Sequence, residues 1–225
     1  MPLPAPAQAT VNAPAPPLFD AGTRASLIAL LRWRRDVRRF RRDPLPEGTL
    51  ERLVATAAFA PSVGLSQPWR FVSVEAPERR AAVRENFATC NAVALHAQAS
   101  ERQQLYAQLK LAGLDDAPAH LAVFADRTTL QGHGLGRHTM PEMVDYSAVI
   151  AIHTLWLVAR AEGIGVGWVS ILDPVALAAT LDVPAAWSFI GYLCIGYPCA
   201  ESDTPELEQA DWERRREAAA TLLRR

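Results

Sequence analysis

Seven of the eleven residues from Arg32 to Arg42 are arginine, and one, Asp36, is acidic; the run RRDVRRF occupies positions 34–40. Guanidinium groups at this density support three kinds of chemistry. They can form a solvated basic face, the usual fate of a charge run. They can contact nucleic acid, a use that calls for interleaved base-stacking aromatics and overall basicity. Or a pair of them can offer forked donors to a phosphate dianion. Asp36 opposes the last use unless its own partner is a hydroxyl or a transferable proton. A carboxylate among so many arginines is expected to stay ionised at neutral pH.

A second stretch, APSVGLSQPWRF (60–71), joins Pro61 and Gly64 to the uncharged donors and acceptors of Ser62, Ser66 and Gln67, just before Trp69. A polar, glycine-containing turn between helix and strand suits a flat heteroaromatic ring whose edge carries N–H and C=O groups. It equally suits a plain connector with a capping serine. A third stretch, AEGIGVGWVSI (161–171), has glycines at 163, 165 and 167. A dinucleotide-binding G-x-G-x-x-G turn follows a strand and opens a helix, and here the order is reversed. Gly163 reads as a helix C-cap, whereas Gly165 and Gly167 inside a strand imply something flat against the backbone.

Other candidates are weaker. His133 and His138 lack a carboxylate or cysteine at ligand spacing, so no metal is expected. His153 reads as a packed core histidine. Cys90, Cys194 and Cys199 are too few for a disulfide framework and suit a reducing compartment, the cytoplasm. Neither G-x-S-x-G nor a Walker A motif occurs.

The elements that must position these stretches follow from apolar spacing. Leu27, Ile28, Leu31 and Trp33 form a helical stripe that fades as the arginines begin. Leu50, Leu53, Val54, Ala57 and Ala58 predict a second helix ended by Pro61. Strands are expected over 69–75, 120–126, 164–172 and 187–198, more than one helix over 77–114, and a short helix over 173–181. The segment 127–143 has glycines and no period, which marks a binding loop or lid. The apolar run 146–163 is interrupted by His153 and closes on Arg160 and Glu162, so it reads as a buried helix rather than a membrane span. Residues 1–20, with six prolines and five alanines and without the basic start of a secretory signal, read as a disordered tail. Residues 21–225 then form one α+β domain. A net charge of −1 argues against a coat for nucleic acid or anionic membrane.

Together these stretches resemble the flavin-dependent nitroreductase superfamily, which combines an R-[RS]-[SD]-x-R-x-F motif, a P-S-x-x-N-x-Q-P-W turn and a glycine motif beside the flavin. Asp36 departs from the serine of many nitroreductases, and Leu65 and Ser66 replace the asparagine region. Both departures, with GWVSILDP, PELEQADWERR, LKLAGLDDAP and GRHTMPEM, resemble one branch of that superfamily, from about Arg24 to the C-terminus. In that branch reduced FMN is the substrate and O2 the co-substrate. The dimethylated ring becomes 5,6-dimethylbenzimidazole, the lower ligand of vitamin B12, and the ribityl remnant leaves as erythrose 4-phosphate.

The resemblance implies a nitroreductase-like fold with a central mixed, mainly antiparallel sheet flanked by helices. It implies a homodimer with interfacial FMN sites and extensions that wrap the partner, a flavin reductase supplying reduced FMN, and no nucleic acid, membrane or metal. Residue by residue, it gives Arg34, Arg35 and Arg38 to the phosphate and ribityl oxygens, with Arg214 or, preferred here, Arg215 closing that end. Ser62 and Gln67 contact the flavin from across the interface, and Gly165 and Gly167 let the ring approach the backbone. Ser170 and Asp36 are the catalytic pair, and GRHTMPEM is the lid. The competing activity under the same motifs is an NAD(P)H-dependent nitroreductase or flavin reductase that retains its FMN.

Overall fold

The computed structural model describes residues 15–109, 113–217 and 221–225. Positions 1–14 of the expected tail lie outside the described residues. Asp20 already belongs to the first helix: its Oδ1 accepts from the Thr23 backbone N–H at 2.7 Å, capping α1 (Ala21–Trp33). The remaining helices are α2 (Thr49–Ala57), α3 (Pro77–His96), α4 (Ser100–Gln108), α5 (Gly113–Asp116), α6 (Met143–Ala161), α7 (Pro174–Leu181) and α8 (Glu206–Gln209). The strands are β1 (Trp69–Ser73), β2 (Ala119–Asp126), β3 (Gly165–Val169) and β4 (Trp187–Gly196).

The strands form one sheet in the order β1-β2-β4-β3, with every neighbour antiparallel. The parallel component of the expected mixed sheet is a single bridge, Asp36 to Val166. Side chains alternate across β2. Leu121 and Val123 pack with Leu53 and Ala57 of α2 and Ala151, Ile152, Leu155 and Ala159 of α6. Ala122 and Phe124 face the other way, onto Val83 of α3 and Leu177 and Leu181 of α7. Burial on both faces explains why β2 reads as an almost unbroken apolar run.

By length and composition alone α6 could cross a bilayer, but here its inner face is claimed by the sheet. It ends in a Schellman turn: Gly163 sits at φ 74° and the Ile164 N–H reaches the Ala159 carbonyl at 2.8 Å, as the C-cap reading expects. Similarly, α7 starts where Asp173 accepts from the Val175 and Ala176 N–H groups, with Pro174 in its first turn. In α2 the last turn tightens into i→i−3 bonds at Ala58, Phe59 and Ala60, so the helix has closed before Pro61. The α1 stripe stays open. Leu27 is 50% exposed, Ile28 59%, Leu31 39% and Trp33 41%.

Candidate functional site at the β3 edge

Arg34 leaves α1 with φ −66° and ψ 121°, turning the chain extended. The extended segment joins the free edge of β3. The Val37 N–H donates to the Val166 carbonyl at 3.0 Å, and the Trp168 N–H donates to Asp36 Oδ1 at 2.8 Å. Farther on, Phe40 bridges Pro198, the Arg41 N–H reaches the Tyr197 carbonyl at 2.8 Å, and the Cys199 N–H reaches the Arg39 carbonyl at 3.1 Å. RRDVRRF is therefore an extended segment added to the sheet edge, bridged at Asp36 and Phe40 by backbone bonds and pinned by the Asp36 side chain on the Trp168 amide. It also accounts for the glycines. A Cβ on Gly167 would stand 2.1 Å from the Val37 carbonyl oxygen, and one on Gly165 2.7 Å from Val37 Cγ2. The close approach expected at both positions is made by the chain itself.

The arginines divide into two groups. Arg41 and Arg42 are engaged by Asp43 and Asp116. Arg35, Arg38 and Arg39 line a cleft of about 500 Å3, walled by residues 35–39 and bordered by Leu105 and Leu109 at α4 and by Thr204, Glu206 and Gln209. Arg34 lies over the Trp156 ring, 4.7 Å from its centroid. Nε and Nη2 of Arg35 are buried and have no hydrogen-bond partner among the described residues. Burial lowers the pKa of Arg34 and Arg35, and repulsion from Arg215 adds to the effect at both. At Arg35 the charges of Arg34 and Arg160 act in the same direction. Two orphaned guanidinium donors amid like charge fit a phosphate, which would satisfy the donors and relieve the repulsion.

Arg215 therefore sits with the cluster, whereas Arg214 turns to Asp211 at 3.4 Å. Arg160 is a member that the sequence reading missed. It lies in the last turn of α6, gripped bidentately by Glu201, and no local motif sets it apart from an ordinary helix C-terminal cation.

Asp36 corrects one expectation. Its pKa is raised, not held down by the arginines: burial dominates and the Glu206 charge adds to it, against the opposing pull of the Trp168 N–H, Arg38 and Arg34. The arginines lose because of geometry. Arg38 Nε is 3.8 Å from Asp36 Oδ2, too far for a hydrogen bond, and the Arg34 guanidinium lies over the Trp156 ring rather than on the carboxylate. The protein encloses Asp36 closely, yet 40% of its side-chain surface remains open, so the group can be reached. Ser170, exposed just past the end of β3, lies on the same sheet edge, two residues beyond the amide that holds Asp36.

Ser62 and Gln67 are elsewhere. The Ser62 hydroxyl accepts from the Gln67 N–H at 3.1 Å, closing a turn in which Gly64, Leu65 and Gln67 all have positive φ. The glycine loop after β2 braces that turn. Gln131 Nε2 donates to the Leu65 carbonyl at 2.8 Å, and a Cβ on Gly132 would be 2.5 Å from the Gly64 carbonyl oxygen. The loop carrying GRHTMPEM thus braces the Ser62 turn, and the roof of the arginine cleft comes from α4 and the segment after β4. Arg102 and Tyr106 of α4 pack on Trp212, at 5.3 and 6.1 Å between group centres, tying the two parts of the roof together.

Sheet register sets the separation. Gln67 adjoins Trp69, whose row runs through Ala125 to Ser188; Asp36 adjoins Val166, whose row runs to Ile195. Four strand spacings across and seven residues along put the two groups roughly 30 Å apart on a flat sheet. That exceeds the reach of one flavin mononucleotide from ring to phosphate.

An antiparallel sheet crossed by α6, with an arginine strand added at its edge, is the architecture of a known class: the chain belongs to the Nitroreductase family, whose profile matches residues 31–197. More particularly, it is 59% identical over 200 residues to the 5,6-dimethylbenzimidazole synthase of Rhodospirillum rubrum, covering 89% of this chain and 95% of that protein. A 5,6-dimethylbenzimidazole synthase of Rhodobacter capsulatus is 49% identical over 195 residues, covering 87% and 94%. Among solved structures, oxidised iodotyrosine deiodinase bound to FMN and 3-iodo-L-tyrosine superposes with a TM-score of 0.66 at 22% identity, over 78% of this chain and 91% of that one. The α+β nitroreductase-like fold expected from the sequence is the fold found.

Proposed function

We propose that the chain is an oxidoreductase that uses O2 to fragment reduced FMN into 5,6-dimethylbenzimidazole and erythrose 4-phosphate. Asp36 carries the reading: a reachable carboxyl of raised pKa, fixed by the Trp168 amide, beside an arginine whose buried donors have no partner among the described residues. Bound reduced flavin supplies the dimethylated ring and the electrons that oxygen takes up. The chain's own residues bind, orient and move protons. Arg34, Arg35, Arg38 and Arg215 hold the phosphate and the neighbouring ribityl oxygens. Asp36 keeps Oδ1 on the Trp168 amide, leaving Oδ2 to accept a proton at the ribityl chain. Ser170 lies near the ring, exposed just past the end of β3; Gly165 and Gly167, already covered by Val37, make room for the arginine segment rather than for the ring.

The roughly 30 Å between Gln67 and Asp36 supports a homodimer, in which Ser62 of the partner subunit and Gln67 of the partner subunit meet the flavin held by the arginines. The three cysteines, all unpaired, fit the cytoplasm. Reduced FMN then comes from a separate flavin reductase, and the chemistry uses no metal.

The test is incubation of the protein with chemically reduced FMN in air, followed by chromatography. Loss of flavin with appearance of 5,6-dimethylbenzimidazole is the expected result. Clean reoxidation to FMN without benzimidazole would overturn the reading and support a flavin-retaining nitroreductase or flavin reductase.

A further inference from the structure

Three consecutive residues of the site, Arg34, Arg35 and Asp36, are each touched by one of two tryptophans. Trp156, on α6 and 8% exposed, offers its ring face to the Arg34 guanidinium and donates its Nε1–H to the Arg35 carbonyl at 3.2 Å. Trp168, on β3, gives its backbone N–H to Asp36 Oδ1. The two indoles pack on each other, 6.4 Å between centroids at 41°. The Trp168 indole in turn lies flat on Gly191 of β4, where a Cβ would be 2.2 Å from its Nε1. An aromatic platform rooted in the core thus runs directly under the arginine strand.

The Arg35 guanidinium shows why this matters. Its Nε and Nη2 make no hydrogen bond among the described residues, so they do not fix where the side chain points. The side chain is placed by the packing around it and by the backbone from which it leaves, and the carbonyl of that backbone is the group held by Trp156.

We infer that Trp156 is a positioning residue for the phosphate end of the site, aligning Arg34 through its ring face and Arg35 through its indole N–H. The inference rests on the proposed reading of these arginines as the phosphate grip. It assigns Trp156 no contact with the flavin: the residue acts through its two arginine neighbours, by lowering the ordering that phosphate binding would otherwise demand.

Binding of FMN and of riboflavin, which lacks the phosphate, tests it by flavin fluorescence titration of the full chain. Trp156→Phe keeps an aromatic face under Arg34 and removes the N–H. It should weaken FMN about fivefold, the worth of one net hydrogen bond, and leave riboflavin unchanged. Trp156→Leu also removes the aromatic face and should weaken FMN by a further severalfold. In an Arg35→Gln background the Trp156→Phe effect on FMN should vanish, because the group through which it acts is gone.

Equal weakening of FMN and riboflavin by Trp156→Phe would overturn the inference, since a merely structural role predicts that result. So would no change in either, or an undiminished effect in the Arg35→Gln background. If Arg35→Gln lowers the preference for FMN over riboflavin while Trp156→Phe does not, the positioning role fails and the phosphate grip stands. If Arg35→Gln leaves that preference untouched, both fall.

Discussion

Asp36 has two oxygens in different situations, and that asymmetry governs what substitutions will do. Oδ1 accepts from the Trp168 amide at 2.8 Å, a bond that an asparagine oxygen can also accept. Asp36→Asn should therefore keep the strand in place and retain FMN binding. It removes the proton acceptor, so benzimidazole formation should fall by about 100-fold or more; undiminished product yield would exclude the role. The raised pKa adds a pH signature. Activity that needs the carboxylate rises with pH through the Asp36 pKa, which burial places above its ordinary value. Arg34, Arg38, Glu206 and the Trp168 amide are the groups that act on it. Removing the like charge by Glu206→Gln lowers that pKa, so the acidic limb of kcat/KM should move to lower pH. An unmoved limb would mean that Asp36 does not control it. Arg38→Gln acts with the opposite sign, although it also weakens the phosphate grip.

Between elements, the join of RRDVRRF to β3 is a contact that local sequence pattern does not encode. Periodicity revealed α2, α6 and the four strands because each buries one or both faces in the core, and such burial leaves a spacing of 3.6 or 2. Gly163 was legible as a cap for a similar local reason. The Asp36 to Val166 bridge pairs residues far apart in the chain, and nothing near Asp36 announces its partner. Without that partner the arginines looked like Asp36's neighbours in charge, whereas the added strand splays them apart and leaves burial to set its pKa. The glycines signalled a close approach but not what makes it. Gly167→Ala tests the join. Its Cβ would press on the Val37 carbonyl oxygen, and forcing that contact should cost about 1–3 kcal/mol in urea unfolding. It should also displace Asp36 and Arg35 and weaken FMN binding. Gly163→Ala, where φ is 74° and no atom lies within 4 Å, should cost about 1 kcal/mol through backbone strain and leave FMN binding intact. Equal FMN affinity in the two variants would show that the Gly167 contact does not place the site.

At the scale of the whole molecule, the two motifs proposed to bind flavin occupy diagonal corners of one sheet, and the surface next to one of them is apolar. On α1, Leu27, Ile28, Leu31 and Trp33 are between 39% and 59% exposed, immediately before the arginine strand. On α6, which contacts α1, Tyr146, Val149 and Ile150 at i, i+3 and i+4 face outward and are 48%, 40% and 38% exposed. Large side chains grouped in this way on two adjoining helices mark a protein contact surface. In the proposed homodimer a second copy would cover this face and bring its own Ser62 turn toward the arginine cleft. Leu27→Asp with Ile28→Asp places two charges on this face and leaves the core untouched, since α1 has no buried residue. The double variant should sediment as a folded monomer, lose FMN affinity by about tenfold or more as half of the ring contacts disappear, and yield no benzimidazole from reduced FMN. A monomer that binds FMN at full strength would place a complete site within one protomer. A dimer that withstands both charges would place the interface elsewhere on the molecule.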